Sequence, residues 1–520
     1  MDKNSAILFL EKISGDKDYS RFGRCFKTKE KKYFYDTGTG KVCECEENEF
    51  ELLDMLINKN DYPKVLEMLT EPRYLIALEN VMTLYNDENM FQDRGISVFE
   101  FPNMKDIDSG IKNGIRQIIL EVTEQCNLRC KYCIYHEEFE RNRNFSNKNM
   151  EWETAKKALD FAALHSQEKL AVGFYGGEPL LRFQFIKDCI EYANKIMPGK
   201  DITYSMTTNL TLVTDEIAQY LASLDDCSLL VSLDGPEEIH NKFRVNMNGH
   251  GSFGDSLIGL EKLVTAFGNR AEACIAINTV VCPPYNKEKL DRIESFFSSL
   301  KWLPMNIVRR LSYVSPDSLK DEDLGGYKKI RDMTNEEFYS QPDEAIDPVG
   351  EWAYDKIKQM EITRENSGKF GDFIQNDFLR IHKRWLTNEP LNFMPMHGCC
   401  IPGMRRLYCS VDGNFKACER IGNSPYIGNV NDGIAKQDIY EKYIKDYGEK
   451  VAPLCAKCWA KNICSLCYIT CFSEDGVDMR RKEISCISER NTCERRLVHY
   501  HESLEVNPDS LAFLNDIKME

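Results

Sequence analysis

Gln117-Ile118-Ile119-Leu120-Glu121-Val122 is an apolar run of strand length, and soon after it comes Cys126-Asn127-Leu128-Arg129-Cys130-Lys131-Tyr132-Cys133. Strand-like runs recur at 170–175, 202–206, 229–233, 274–278 and 305–308, with helical patterns at 152–165, 183–196, 215–224 and 256–267 among them. This alternation specifies an α/β fold with a parallel sheet and crossover helices, and six repeats fit a partial or full β/α barrel. In such a barrel the chemistry gathers where strands end and loops begin, which is where the cysteine triplet falls.

The triplet reads C-x3-C-x2-C. Three thiolates on one tight loop can hold three irons of a [4Fe-4S] cube, whose usual complement is four cysteines, so one iron stays open. An open iron can chelate the amino and carboxylate groups of S-adenosylmethionine. The competing reading is a zinc site completed by His136. Further along, Gly176-Gly177-Glu178-Pro179 follows the second strand, Thr208-Asn209 closes the third, and Ser232-Leu233-Asp234-Gly235 closes the fourth. Taken singly, these are an ordinary turn and common polar loop residues.

From about Arg116 to Leu311 the sequence resembles the radical S-adenosylmethionine enzymes, in which this cysteine spacing follows the first strand of a partial (β/α)6 barrel. The resemblance implies a [4Fe-4S] cluster on Cys126, Cys130 and Cys133, with Tyr132 near the adenine of S-adenosylmethionine. It implies that Gly176, Gly177, Glu178 and Pro179 form the family's GGEP motif, meeting the cofactor's ammonium. Asn209, Ser232 and Asp234 then lie near the ribose and neighbouring polar atoms, and Arg244 pairs with the cofactor's carboxylate. Leu210 departs from the pattern, since relatives usually have Gly after Thr-Asn. Reduction of the cluster would split the cofactor and give a 5′-deoxyadenosyl radical that takes hydrogen from a substrate carbon. The residue that takes the substrate's thiol proton is not identified by this pattern.

Of the 21 cysteines, eleven crowd the last quarter: Cys399, Cys400, Cys409, Cys418, Cys455, Cys458, Cys464, Cys467, Cys471, Cys486 and Cys493. In a reducing compartment clustered cysteines more often hold metal than form disulfides. Gly413 to Cys418 gives G-x4-C, and Cys455, Cys458 and Cys464 give C-x2-C-x5-C. This resembles the SPASM extension, which binds one or two auxiliary [4Fe-4S] clusters. The resemblance implies one cluster on Cys399 or Cys400, with Cys409 a further option, together with Cys418 and a later cysteine. Cys455, Cys458, Cys464 and either Cys486 or Cys493 would hold the other. Whether Cys467 or Cys471 supplies the shared tail ligand stays open, and a pair of zinc ribbons is the competing reading.

At the amino end, Lys31–Tyr35 and Lys41–Cys45 flank the Gly-rich turn Asp36-Thr37-Gly38-Thr39-Gly40, and two short helical patterns follow. This resembles the winged-helix recognition element of maturases of ribosomally made peptides, where a leader adds as a strand to a sheet edge. The expected divisions are 1–100 (winged-helix-like recognition), 115–312 (barrel), 313–397 (bridging) and 398–505 (SPASM). The stretch from Pro102 to Gly114 is expected to be a linker.

The acidic excess, 67 − 83 = −16, argues against a broad nucleic-acid surface. No apolar run reaches membrane-span length, and Met1-Asp2-Lys3-Asn4 leads only into a short apolar stretch, so a cytoplasmic, membrane-free protein is expected. The run Cys455–Cys464 is similar to maturases of cysteine-rich peptides of the sactipeptide and ranthipeptide kind, which join a cysteine sulfur to a carbon of another residue. The expected partners are a precursor peptide with its leader and an external one-electron donor. The alternatives are carbon-carbon cross-linking, sulfatase maturation, and a zinc-stabilised peptide-binding scaffold with no redox chemistry.

Overall fold

A computed structural model describes residues 1–100, 107–137, 139–314, 316–326, 328, 348–358, 373–395, 400–420 and 422–517. Its first element of note is a three-stranded antiparallel sheet of β1 (Gly23–Lys27), β2 (Lys32–Asp36) and β3 (Val42–Glu44). The expected hairpin is β2–β3, its turn closed by Gly40 in the left-handed region. Cys25, Phe34 and Cys43 sit side by side across the sheet, so they share one face, while Phe26, Tyr33 and Tyr35 share the other. The first face packs on the helices Glu47–Leu53, Tyr62–Met68 and Pro72–Asp87 through Phe50, Leu53, Val65 and Leu78. The helices at 62 and 72 each open on a proline, whose fixed φ suits the first turn. A further helix, Lys3–Ile13, packs beside them, and its pattern went unread in the sequence.

Two short strands, β4 (Phe99–Glu100) and β11 (Met394–Pro395), pair with each other. The expected linker holds a helix, Ile107–Asn113, anchored by buried Ile111; residues 101–106 lie outside the described set.

The large sheet begins with six parallel strands: β5 (Ile115–Thr123), β6 (Ser166–Gly176), β7 (Asp201–Thr208), β8 (Cys227–Ser232), β9 (Ile275–Val281) and β10 (Val308–Tyr313). Each follows its neighbour in space as in sequence, as repeated βα units require. The sixth strand starts later than the apolar run 305–308 indicated. A turn closed by Ile307 N on the Pro304 carbonyl occupies that stretch, and Met305 is 83% exposed. Ile118, Leu120, Val122, Val172, Phe174, Val231 and Ile277 form the core beneath the helices Trp152–His165, Phe183–Ile196, Asp215–Ala222 and Phe253–Phe267.

Beyond β5 the sheet does not stop. β12 (Arg406–Cys409) joins it in parallel, and β13 (Asn414–Lys416), β14 (Gly428–Asn429) and β15 (Gly433–Ile434) continue it in antiparallel, giving ten strands. The carboxyl-terminal segment thus shares one mixed sheet with the six parallel strands. A long helix, Met479–Val506, capped by Asp478 accepting from Arg481 N at 3.1 Å, runs back to the amino-terminal sheet. There Leu497 and Tyr500 meet Phe26, Tyr33 and Tyr35 in a second core. Among the described residues no helix is long and apolar enough to cross a membrane.

Candidate active site

The loop after β5 is held on both sides. Arg129 N donates to Val245 O at 2.7 Å and Lys131 N to Phe243 O at 2.9 Å, while the Arg129 guanidinium donates to the Cys126 and Leu128 carbonyls at 2.7 Å each. A turn at Cys130–Cys133, closed by Cys133 N on Cys130 O at 3.0 Å, brings the second and third thiols round. Leu128 N points at Cys126 Sγ, 3.4 Å away. Burial pushes the Cys126 thiol up to about 12 and raises Cys130 and Cys133 as well. The three also bear on one another, and Arg244 opposes the rise at Cys130 and Cys133. Thiols raised in this way hold their protons until a metal displaces them.

The second strand's end packs backbone to backbone on this loop. Gly177 N donates to Thr123 O at 3.0 Å and Glu178 N to Gln125 O at 2.8 Å. A Cβ on Gly177 would run into the Gln125 carbonyl and the Cys126 side chain, so only glycine allows the approach. Glu178 is buried and accepts from Leu180 N (3.0 Å), Thr208 Oγ1 (2.8 Å) and Asn209 N (2.7 Å). Burial pushes its carboxyl up to about 7 against those bonds. Pro179 opens a short 3-10 turn behind it. Asn209 Nδ2 donates to Asn127 Oδ1 at 3.0 Å, tying the third strand's end to the cysteine loop.

The fourth strand's end supplies a buried polar network. Asp234 Oδ2 accepts from Tyr132 OH at 2.6 Å and from Arg244 Nε at 2.9 Å, and Oδ1 accepts from Val280 N at 3.0 Å. The Arg244 guanidinium lies 5.3 Å from the Tyr132 ring centroid. Ser232 is buried at the end of β8. Tyr132, Asp234 and Arg244, read from three separate motifs, thus bond to one another. Arg244 commits its Nε to Asp234 within the chain, leaving only its terminal nitrogens for a carboxylate partner.

Sequence reading missed a neighbouring group. Glu121, the one charge in the apolar run Gln117–Val122, is 1% exposed and accepts from Arg143 Nε at 2.7 Å and from Val411 N at 3.2 Å. Arg143 covers the Tyr135 ring at 4.0 Å, and Tyr175 meets Tyr408 edge-on at 6.4 Å. A carboxylate inside an otherwise apolar strand is the signal that could have found it, because such a charge is buried only with a partner.

The carboxyl-terminal thiols fall into separate neighbourhoods. Burial pushes Cys455 up to about 12 and raises Cys464 and Cys486; Cys458 adds to the rise at Cys455 and Cys486. Lys482 is 1% exposed and its Nζ donates to Tyr447 OH at 3.1 Å; against its burial, Cys486, Cys455, Cys464 and Cys471 raise its pKa. Leu466 N points at Cys464 Sγ, 3.5 Å away, the pattern seen at Cys126. Cys493 is fully buried, its Sγ 3.6 Å from Ile463 O and 3.7 Å from Glu489 Oε1. Cys418, raised to about 12 by burial, has Cys467 near it. Cys471 is buried with its Sγ 3.3 Å from Tyr468 O. Cys409 stands apart: it is fully buried in the sheet core, and burial and Glu121 are what raise it. The Cys400 carbonyl accepts from Tyr468 OH, and Cys399 lies outside the described residues.

Among the described residues no three His, Cys, Asp or Glu side chains converge as ligands of one metal ion. Three neighbouring thiols, an amide N–H on one sulfur and a nearby guanidinium suit an anionic thiolate-bound cluster.

Residues 120–297 match the model of the Radical SAM superfamily, so the chain carries a radical SAM domain, which implies a [4Fe-4S] cluster and S-adenosylmethionine. The chain is 28% identical over 185 residues to a cysteine-type anaerobic sulfatase-maturating enzyme of Clostridium novyi, covering 35% of this chain and 48% of that protein. It is 26% identical over 233 residues to the radical SAM cyclopropyl synthase TigE of Paramaledivibacter caminithermalis, covering 39% of this chain and 48% of that one. The chain thus spans about half the length of these curated relatives. In fold it resembles native anSMEcpe with bound AdoMet and Cp18Cys peptide, at a TM-score of 0.51 and 18% identity, covering 78% of this chain and 99% of that one.

Proposed function

We propose that the protein is a radical SAM peptide maturase that closes thioether cross-links between a cysteine sulfur and a carbon within a ribosomally made precursor peptide. The observation that carries this reading is the Cys126–Cys133 loop locked against Glu178, Asn209 and the Tyr132–Asp234–Arg244 network at the carboxyl ends of four parallel strands. Cys126, Cys130 and Cys133 would hold the barrel cluster. When bound and reduced by an external one-electron donor, the cluster and S-adenosylmethionine supply a 5′-deoxyadenosyl radical able to take hydrogen from carbon.

The chain's own residues bind and orient. The Glu178 carboxylate and the Gly176–Pro179 main chain would meet the cofactor's ammonium, and the terminal nitrogens of Arg244 its carboxylate, with Asp234 fixing the guanidinium's angle. Tyr132, pinned through its hydroxyl, offers a fixed ring face to the adenine; Asn209 and Ser232 border the ribose. Burial of all these groups keeps water from the reacting atoms.

The carboxyl-terminal region, 398–505, would be a SPASM domain with auxiliary clusters. Cys455, Cys458, Cys464 and Cys486 form one ligand set; Cys418 and Cys467, with Cys400, belong to the other. The amino-terminal unit, 1–100, would be a winged-helix-like recognition element that takes the leader as an added strand at the edge of β3, and 313–397 the bridge. A peptide substrate is supported by the fold neighbour, whose structure has a peptide bound.

A second reading, sulfatase maturation, is favoured by the Clostridium novyi relative, and carbon-carbon cross-linking shares the same core. Mass spectrometry separates these. A precursor peptide incubated anaerobically with the enzyme, reductant and S-adenosylmethionine should lose two hydrogens per link together with one alkylatable thiol. Loss of two hydrogens with every thiol still alkylatable favours carbon-carbon closure, and oxidation of a sulfatase-derived peptide alone favours the other reading.

A further inference from the structure

The Cys455–Cys464 loop is not built by the carboxyl-terminal region alone. Its cysteines are spaced by tight turns: Cys458 N donates to Cys455 O at 3.0 Å, Lys461 N to Cys458 O at 3.4 Å and Ile463 N to Ala460 O at 3.0 Å. The residues between Cys458 and Cys464 bind the amino-terminal unit. Thr37 Oγ1, in the β2–β3 turn, donates to Trp459 O at 2.8 Å, and Thr37 O accepts from Asn462 Nδ2 at 2.7 Å. Between those two contacts, Lys461 pairs with Asp93 at 2.7 Å, their side chains 4% and 6% exposed. The Trp459 ring meets Tyr35 edge-on at 6.2 Å under the Arg24 guanidinium, and Trp459, Ala460 and Ile463 share one core with Phe26, Tyr33 and Tyr35.

We propose that the amino-terminal unit is a structural part of the carboxyl-terminal cysteine site, with Thr37 and the Asp93–Lys461 pair as positioning residues that hold the Cys455–Cys464 loop in its ligand-presenting shape. The proposal rests on the reading that these cysteines hold a cluster. An ammonium buried as deeply as Lys461 is tolerated only with its partner in place, so the stretch around Asp93 and the loop cannot separate without exposing or stranding a charge. Thr37 satisfies a buried carbonyl on one side of Lys461 and fixes a side chain on the other. The x5 gap is therefore a docking element, and Cys464 at its far end has its Sγ toward Leu466 N, 3.5 Å away. Because Thr37 lies in the turn that leads into β3, a peptide added at that edge and a cluster on this loop share one support, and each would alter the other's stability by the same factor.

The test uses the full chain, reconstituted with iron and sulfide without oxygen, and reads iron loss to a chelator together with the electron paramagnetic resonance spectrum of the reduced protein. Thr37→Val removes the hydroxyl, and Asp93→Leu with Lys461→Met removes both buried charges of the pair, leaving Arg21, whose Nε lies 3.9 Å from Asp93 and whose side chain is 23% exposed. Cys455→Ala with Cys458→Ala is the control that lacks the ligands. We expect both clamp variants to lose the control's share of iron about tenfold faster than wild type, with the spectral component that responds to S-adenosylmethionine unchanged and Thr37→Ser close to wild type. Wild-type iron loss and spectra in both clamp variants, beside a control that has lost its share, would overturn the clamp alone. Full iron in the control would overturn the cluster reading and the proposal with it. Loss of both spectral components together in Thr37→Val would also count against it, since positioning is local.

Discussion

Leu210 sets backbone strain against burial. It holds φ +73°, the left-handed region where relatives of the resembled family have glycine, and its side chain is fully buried. The conformation costs a non-glycine residue about 1 kcal/mol, whereas emptying a buried leucine site costs about 3 kcal/mol. Leu210→Gly therefore loses stability on balance, and Leu210→Ala loses about 1 kcal/mol more, because it keeps the strain and forfeits the packing. Urea unfolding of both variants checks the order; an alanine variant more stable than the glycine variant would contradict it. His240 gives a pH signature. Its Nδ1 accepts from Asp234 N at 3.3 Å and its Nε2 lies 3.0 Å from Ser252 Oγ, and burial pushes its pKa down to about 4. The unfolded chain takes up a proton near 6.5 that the folded chain refuses until about 4. Stability is thus whole above 6.5 and drains away as pH falls across that window, by about 3 kcal/mol at most. His240→Gln should flatten this slope in pH-dependent urea titrations; equal slopes in variant and wild type would rule the assignment out.

The end of β6 meets the cysteine loop backbone to backbone, the contact on which the proposed cofactor site depends. Gly177→Ala places a methyl group against the Gln125 carbonyl and Cys126, and backbone cannot swing aside as a flexible side chain can. We expect a folded protein with a lowered melting temperature, as overpacking costs about 1–3 kcal/mol, whose 5′-deoxyadenosine formation falls about 100-fold, a loss of the size that small misplacements of reacting groups produce; near-wild-type turnover would show that the contact does not matter. The parallel strands and four of the helices between them were legible because buried parallel strands read as continuous apolar runs and their helices keep a 3.6-residue period; the helix Lys287–Ser299 between β9 and β10 was not read. The sixth strand was displaced because Arg309 and Arg310 interrupt its apolar pattern while the run before it closes a turn. Glu121 was passed over for the opposite reason, as one charge in a strand that otherwise reads as core.

For the whole molecule, local periodicity carries no record of which distant segments meet. Nothing in Arg406–Cys409 announces that it pairs with the barrel's first strand, nor in Thr37 that it bonds a loop more than four hundred residues away. The motif residues around the thiols were readable because each follows a strand, and parallel strands bring their carboxyl ends to one side of the sheet. Tyr132, Asp234 and Arg244 are near one another for that reason, although their mutual bonding was not foreseen. The proposed activity requires a cluster on Cys126, Cys130 and Cys133 with an iron that the polypeptide leaves open, and spectroscopy of the reduced, oxygen-free protein before and after adding S-adenosylmethionine addresses this most directly. We predict that the barrel cluster's resonance shifts when the nucleotide is added, and that both resonance and shift vanish in the Cys126→Ala, Cys130→Ala, Cys133→Ala variant. A spectrum indifferent to the nucleotide, or a shift that survives in the triple variant, would contradict the account.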